Sequence, residues 1–127
     1  HDIVEIDAGD TYAYDEENKK TQSAREEAAK KHLFGMLPED QASELMALFE
    51  EFEEYETAES KFAHAMDNLQ PLMLNNSNGG SDWREHGVSA SQVHGRQDKT
   101  ALGSRELFEL VDSIIAENVR LGNIKED

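Results

Sequence analysis

LPEDQASELMALFEEFEE, residues 37–54, carries Leu45, Met46, Leu48, Phe49 and Phe52 at three-to-four spacing, with Glu44, Glu50, Glu51, Glu53 and Glu54 between them. That is the stripe of an amphipathic helix, one face for a core and one for water. Pro38 suits its first turn, where the missing N–H has no partner to lose. Toward the C-terminus, Thr57 is an N-cap for a second helix whose inner face is Phe62, Met66, Leu69 and Met73. Pro71 cannot donate to the carbonyl of Asp67, so a bend is expected there. NNSNGGS, residues 75–81, reads as a loop. Short helical pieces follow over residues 82–86 and 89–97. A last long helix starts near Ser104, uses Leu107, Leu110, Val111, Ile114, Ile115 and Val119, and stops at Gly122.

Working back toward the N-terminus, Gly35 closes a helix that Ser23 opens with Glu26 as its capping-box partner. Residues 10–22 read as a polar surface loop, and residues 1–8 as helical with Gly9 as C-cap. No segment alternates with period two and β-branched enrichment, and there is no internal repeat. The class is all-α, in a single domain over residues 1–127.

Charge narrows the function. Against 28 acidic residues there are 12 basic ones, a formal net charge of −16. Such a field repels polyanions, which argues against a nucleic acid polymer as partner. A small anionic substrate stays compatible if a bound cation inverts the potential locally. With no cysteine, disulfides and thiolate metal sites are excluded, and a reducing cytoplasm is the expected location. No apolar run is long enough to cross a membrane, so no membrane partner is expected.

The chemistry concentrates at HDIVEIDAGD, residues 1–10. On a helix Glu5 lies one turn from both His1 and Asp2, so the three can share a patch. An imidazole beside a carboxylate suits a divalent ion of the Mn, Co, Fe, Zn or Mg group, and a further carboxylate one turn along can hold a water. Acidic helices offer such trios often, so spacing alone leaves a solvated patch as the alternative. Asp67 borders the apolar face of its helix and needs a polar partner, for which a metal and solvent both serve. His64 and Trp83 with His86 have packing or surface readings beside functional ones. His32 and His94 sit in polar surroundings, and residues 107–121 read as core or as a dimer face.

HDIVEIDAGD, the E-x-x-A of Glu26 to Ala29, LPED, and the acidic FEEFEEYETAESKFAHAMDNLQPL together resemble the HD-domain metal-dependent phosphohydrolases, in their 5'-deoxynucleotidase-like branch. DWREHGVSASQV and the closing LFELVDSIIAENVRLGNI extend the likeness to about Ile124. The family motif is H…HD…D with a Glu three residues after the doublet. The resemblance implies His1, Asp2 and Asp67 as metal ligands and Glu5 as the catalytic base. It also implies Asp10 and Thr11 as substrate-binding residues, with Asp10 on the sugar side of the ester. The family's first metal-binding His lies on an earlier helix, so the resemblance implies an N-terminally truncated HD domain whose upstream helices lie outside residues 1–127. The expected activity is phosphomonoester hydrolysis of (deoxy)nucleoside 5'-monophosphates with a divalent metal, by a homodimer. An HD pyrophosphohydrolase or phosphodiesterase, or a non-catalytic helical interaction module, is the alternative.

Overall fold

The structure, a computed structural model, describes residues 1–12 and 15–127; Ala13 and Tyr14, part of the loop expected over residues 10–22, lie outside the described residues. No strand occurs among the described residues, and a lone parallel bridge pairs Ser89 with Lys125. The all-α expectation holds. The chain divides into two compact units, His1–Glu54 and Tyr55–Asp127.

In the first unit a 3-10 turn, Asp2–Val4, runs into the one-turn helix α1, Glu5–Ala8. Gly9 ends it at φ 75°, a left-handed value that L side chains rarely adopt. Helix α2, Glu16–Phe34, begins well before the expected Ser23. Its N-cap is Asp15, whose carboxylate accepts from the amides of Glu17 (3.2 Å) and Asn18 (3.1 Å). Residues 16–22 were expected in the loop because they carry no apolar stripe. They are helical through the cap, the first-turn acids beside the positive end of the dipole, and Lys19–Glu16 and Lys20–Glu17 pairs at 2.8 and 2.7 Å.

Helix α3, Glu39–Glu54, follows Pro38, whose carbonyl accepts from the Ala42 amide at 2.9 Å. The core of this unit is Val4, Ala8, Ala29, Phe34 and Phe49, with Leu33, Leu45 and Met46 against it. Phe34 and Phe49 meet edge to face, centroids 6.3 Å apart. Leu48, expected in the buried stripe, is 54% exposed, because it points away from that cluster. Lys30 is buried with its ammonium 2.7 Å from Glu27 and 3.6 Å from Glu50, above the Phe49 ring.

The second unit opens at Tyr55, whose φ of 59° is left-handed. Thr57 caps α4, Ala58–Ser77, as expected, accepting from the Ser60 amide at 3.1 Å. The helix continues through Pro71 and on to Ser77, so three residues of the expected 75–81 loop are its last turn. Its buried face also differs from expectation. Ala65, Leu69 and Leu72 are inside, whereas Phe62, Met66 and Met73 are 44–49% exposed. The cause is α7, Thr100–Gly103, a turn that the sequence did not reveal and that packs on α4. A Cβ on Gly103 would overlap the Lys61 carbonyl and lie 2.8 Å from Ala65 Cβ, so the approach needs small residues on both sides.

Helices α5, Ser81–His86, α6, Ala90–Gln97, and α8, Arg105–Arg120, complete the unit. Trp83, Val88, Val93, Val111, Ile115 and Ile124 are its apolar interior. Buried polar groups are satisfied: Gln97 Nε2 donates to the Asn68 carbonyl (2.8 Å) and Thr100 Oγ1 donates to Gln97 Oε1 (2.9 Å). Asn118 Nδ2 donates to Asn76 Oδ1 (2.8 Å) and the Ile114 carbonyl (2.9 Å). Among the described residues no helix is long and apolar enough to cross a membrane.

Candidate metal and substrate site

His1 precedes the 3-10 turn, Asp2 opens it and Glu5 opens α1, so all three lie on consecutive helical turns, as the spacing predicts. The His1 ring stacks on Phe52 of α3, centroids 4.1 Å apart and planes 8° from parallel. Its Nε2 stands 2.7 Å from Asp2 Oδ1. Aromatic stacking fixes the plane of the imidazole, and the carboxylate meets its outward nitrogen. A nitrogen and an oxygen donor side by side, in a chain without thiols, match the ligand preference of borderline and hard divalent ions.

Glu5 is half-buried. Burial raises its pKa above the ordinary glutamate value, the negative charges of Asp10, Asp2 and Glu26 push the same way, and His1 opposes them. Glu5 therefore holds a proton more firmly than a solvated carboxylate does, which is what a group that must accept one requires. It lines a small open cleft with His1, Val4, Glu26, Phe49 and Glu53. The cleft has one imidazole and three carboxylates on its wall, so a cation is the complementary charge.

Asp10 is exposed just beyond Gly9, and Thr11 is half-buried. The Thr11 hydroxyl accepts from Arg25 Nη2 of α2 at 2.8 Å, and Arg25 Nη1 donates to the Ala8 carbonyl. Asp67 belongs to the second unit, half-buried on α4 one turn before Pro71 and in the same stretch as the buried Ala65 and Leu69.

Three groups of this site were not anticipated. Glu26, expected to complete a capping box with Ser23, instead faces the cleft and accepts from Gln22 Nε2 at 2.7 Å. Ser23 is mid-helix, so there is no cap for Glu26 to serve. Glu53 falls on the water-facing side of the α3 sequence pattern yet lines the cleft. Arg25 carried no sequence signal beyond being a lone cation in TQSAREE. The remaining histidines pair locally: His32 with Asp7, His86 with Asp82 (3.2 Å), His94 with Asp112 (3.6 Å), and His64 edge-on to Tyr55 (4.9 Å). Trp83 is buried in the core, which settles its reading as packing.

Comparison with known proteins gives a consistent picture. The HD domain family model matches residues 1–108. The 5'-deoxynucleotidase HDDC2 of Homo sapiens is 30% identical over 119 residues, 92% of this chain and 56% of its own length. That of Mus musculus is 36% identical over 73 residues, 58% of this chain and 37% of its own length. A crystal structure described as a predicted metal-dependent phosphohydrolase from Magnetospirillum magnetotacticum MS-1 is 44% identical, with a TM-score of 0.91 over 98% of this chain and 62% of that one. At best, then, the chain spans 56% of the length of the curated relatives it matches.

Proposed function

The chain belongs to the HD domain family, and from that premise we propose that its protein is a metal-dependent phosphomonoester hydrolase acting on (deoxy)nucleoside 5'-monophosphates. The observation that carries this reading is Glu5, a half-buried carboxyl of raised pKa three residues beyond the paired His1 and Asp2. A 5'-deoxynucleotidase and a metal-dependent phosphohydrolase among the relatives support it.

His1 and Asp2 would hold a divalent ion (Mn, Co, Fe, Zn or Mg) together with Asp67, whose assignment rests on the family motif. When bound, such an ion supplies Lewis acidity toward phosphate oxygens and makes water more acidic. Glu5 orients the attacking water and takes its proton. The water oxygen bonds to phosphorus, the ester P–O bond breaks, and the leaving alkoxide takes up a proton as the nucleoside departs. Asp10 and Thr11 meet the sugar side of the ester. The net charge of −16 would repel this anionic substrate without a cation in the cleft, and it disfavours polymeric nucleic acid altogether.

The same reading makes residues 1–127 part of a single HD hydrolase domain, since the family match runs through both units. It also makes the protein a cytoplasmic homodimer. Leu110 and Leu121 on and just after α8, 41% and 56% exposed, support a dimer face there. Sedimentation at the monomer mass over micromolar concentrations contradicts that part.

The test is hydrolysis of deoxynucleoside 5'-monophosphates by the full-length protein, after chelation and after adding back Mn²⁺ or Co²⁺. Activity should return with the metal. Glu5→Gln should lower kcat by about 10²- to 10⁴-fold, the usual worth of a general base, with metal content and helicity unchanged. Hydrolysis that needs no metal, or that survives Glu5→Gln, defeats the proposal.

A further inference from the structure

Helix α1 is a single turn, too short to persist by its own hydrogen bonds. The segment after it, Asp10 to Tyr12, has no regular structure. Val4 and Ala8 in the core and the Asp7–His32 pair hold the turn itself, and the ties to the segment after it converge on Arg25. From the middle of α2 its guanidinium donates through Nη1 to the Ala8 carbonyl and through Nη2 to Thr11 Oγ1 (2.8 Å) and the Asn18 carbonyl (3.2 Å). Nε donates to Thr21 Oγ1 at 3.3 Å. The fork thus grips the chain two residues before Asp10 and one residue after it, while the Asp10 side chain stays exposed.

We infer that Arg25 is a positioning residue for substrate recognition, fixing Asp10 and Thr11 against α2 so that they meet the sugar of the nucleotide. This rests on the proposed function above. The geometry is specific to arginine. Four donations in different directions need a planar fork, whereas a lysine ammonium is a single point on a flexible stem. Nor does Arg25 act as a general neutraliser of this acidic chain: among the described residues its hydrogen bonds go to neutral oxygens. The role is therefore geometric. Misplacing recognition groups by about 1 Å from a distance can cost about 100-fold in rate.

The experiment compares wild-type, Arg25→Lys and Arg25→Ala full-length proteins on two substrates: a deoxynucleoside 5'-monophosphate, and p-nitrophenyl phosphate, which has no sugar. Amide exchange at Gly9, whose N–H donates to the Glu5 carbonyl at 2.8 Å, and thermal melting are followed in parallel. Both variants should lose about 100-fold in kcat/KM on the nucleotide, largely through KM, and far less on p-nitrophenyl phosphate, because Val4 and Ala8 in the core still anchor the turn that carries Glu5. Protection at Gly9 should be lost. If Arg25→Ala fails to fold, Arg25→Lys carries the same comparison. Equal losses on both substrates, or a lysine variant that matches wild type, overturn the inference. If the wild type hydrolyses neither substrate, the functional reading fails separately. Gly9 exchange then decides the clamp, with lost protection supporting it and unchanged protection overturning it.

Discussion

Lys30 shows how an acidic chain keeps one cation inside. Its ammonium lies over the Phe49 ring and is answered by Glu27 and Glu50 at the surface. Hydrogen bonds from Lys30 and Lys31 hold the pKa of Glu27 below the ordinary glutamate value. A carboxylate with a depressed folded pKa adds stability above its unfolded pKa and loses it as pH falls through the folded one. Glu27→Gln should therefore lower the urea midpoint at pH 7, and should narrow the gap between midpoints at pH 7 and pH 3. An unchanged gap would mean that Glu27 is not a source of the acid sensitivity. Residues at this scale were legible in the sequence to the extent that their partners are local. His1, Asp2 and Glu5 fall within two turns, so spacing predicted their company. Arg25 did not show, because its bonds reach back 17 and 14 residues to a carbonyl and a hydroxyl, and such bonds leave no periodicity.

Helices were legible where an apolar stripe exists and lost where something else makes them. The start of α2 was hidden because residues 16–22 fold through capping and ion pairs rather than burial. The inner face of α4 is hidden in the sequence because bulky Phe62 and Met66 advertise a core more loudly than Ala65, yet α7 needs the small residue. Gly103 is the matching half of that contact. Gly103→Ala should cost about 1–3 kcal/mol, the usual cost of overpacking, measured by urea denaturation. A neutral result would show that α7 can move off α4 freely. The buried amide of Asn118 is the second test. It bonds Asn76 and Ile114 and accepts from Asn123 Nδ2 at 2.8 Å. Asn118→Ala should destabilise by about 1–3 kcal/mol, because its partners lose a bond inside the protein. Asn118→Asp should not rescue it, since a carboxylate cannot donate to Asn76 and Ile114.

The molecule carries its function against a strong negative self-field. At −16, repulsion among its own charges opposes compaction, and salt relieves it. The screening length falls from about 30 Å at 0.01 M to about 3 Å at 1 M. The melting temperature should accordingly rise with NaCl over that range, and a fall would assign the larger share to favourable ion pairs such as Lys30–Glu27. Divalent metal should add to stability as well, by about 2.7 kcal/mol at a hundred times its dissociation constant. Trp83 bears on how such changes are seen. It is the sole indole in the chain, and it is buried in the interior of residues 55–127. Fluorescence excited at the red edge of the protein spectrum therefore reports one half of the molecule and is silent about the half that holds His1, Asp2 and Glu5. An emission curve laid over the ellipticity curve becomes a two-colour readout: coincidence means that the halves melt as one, and a lag means that residues 1–54 have a life of their own.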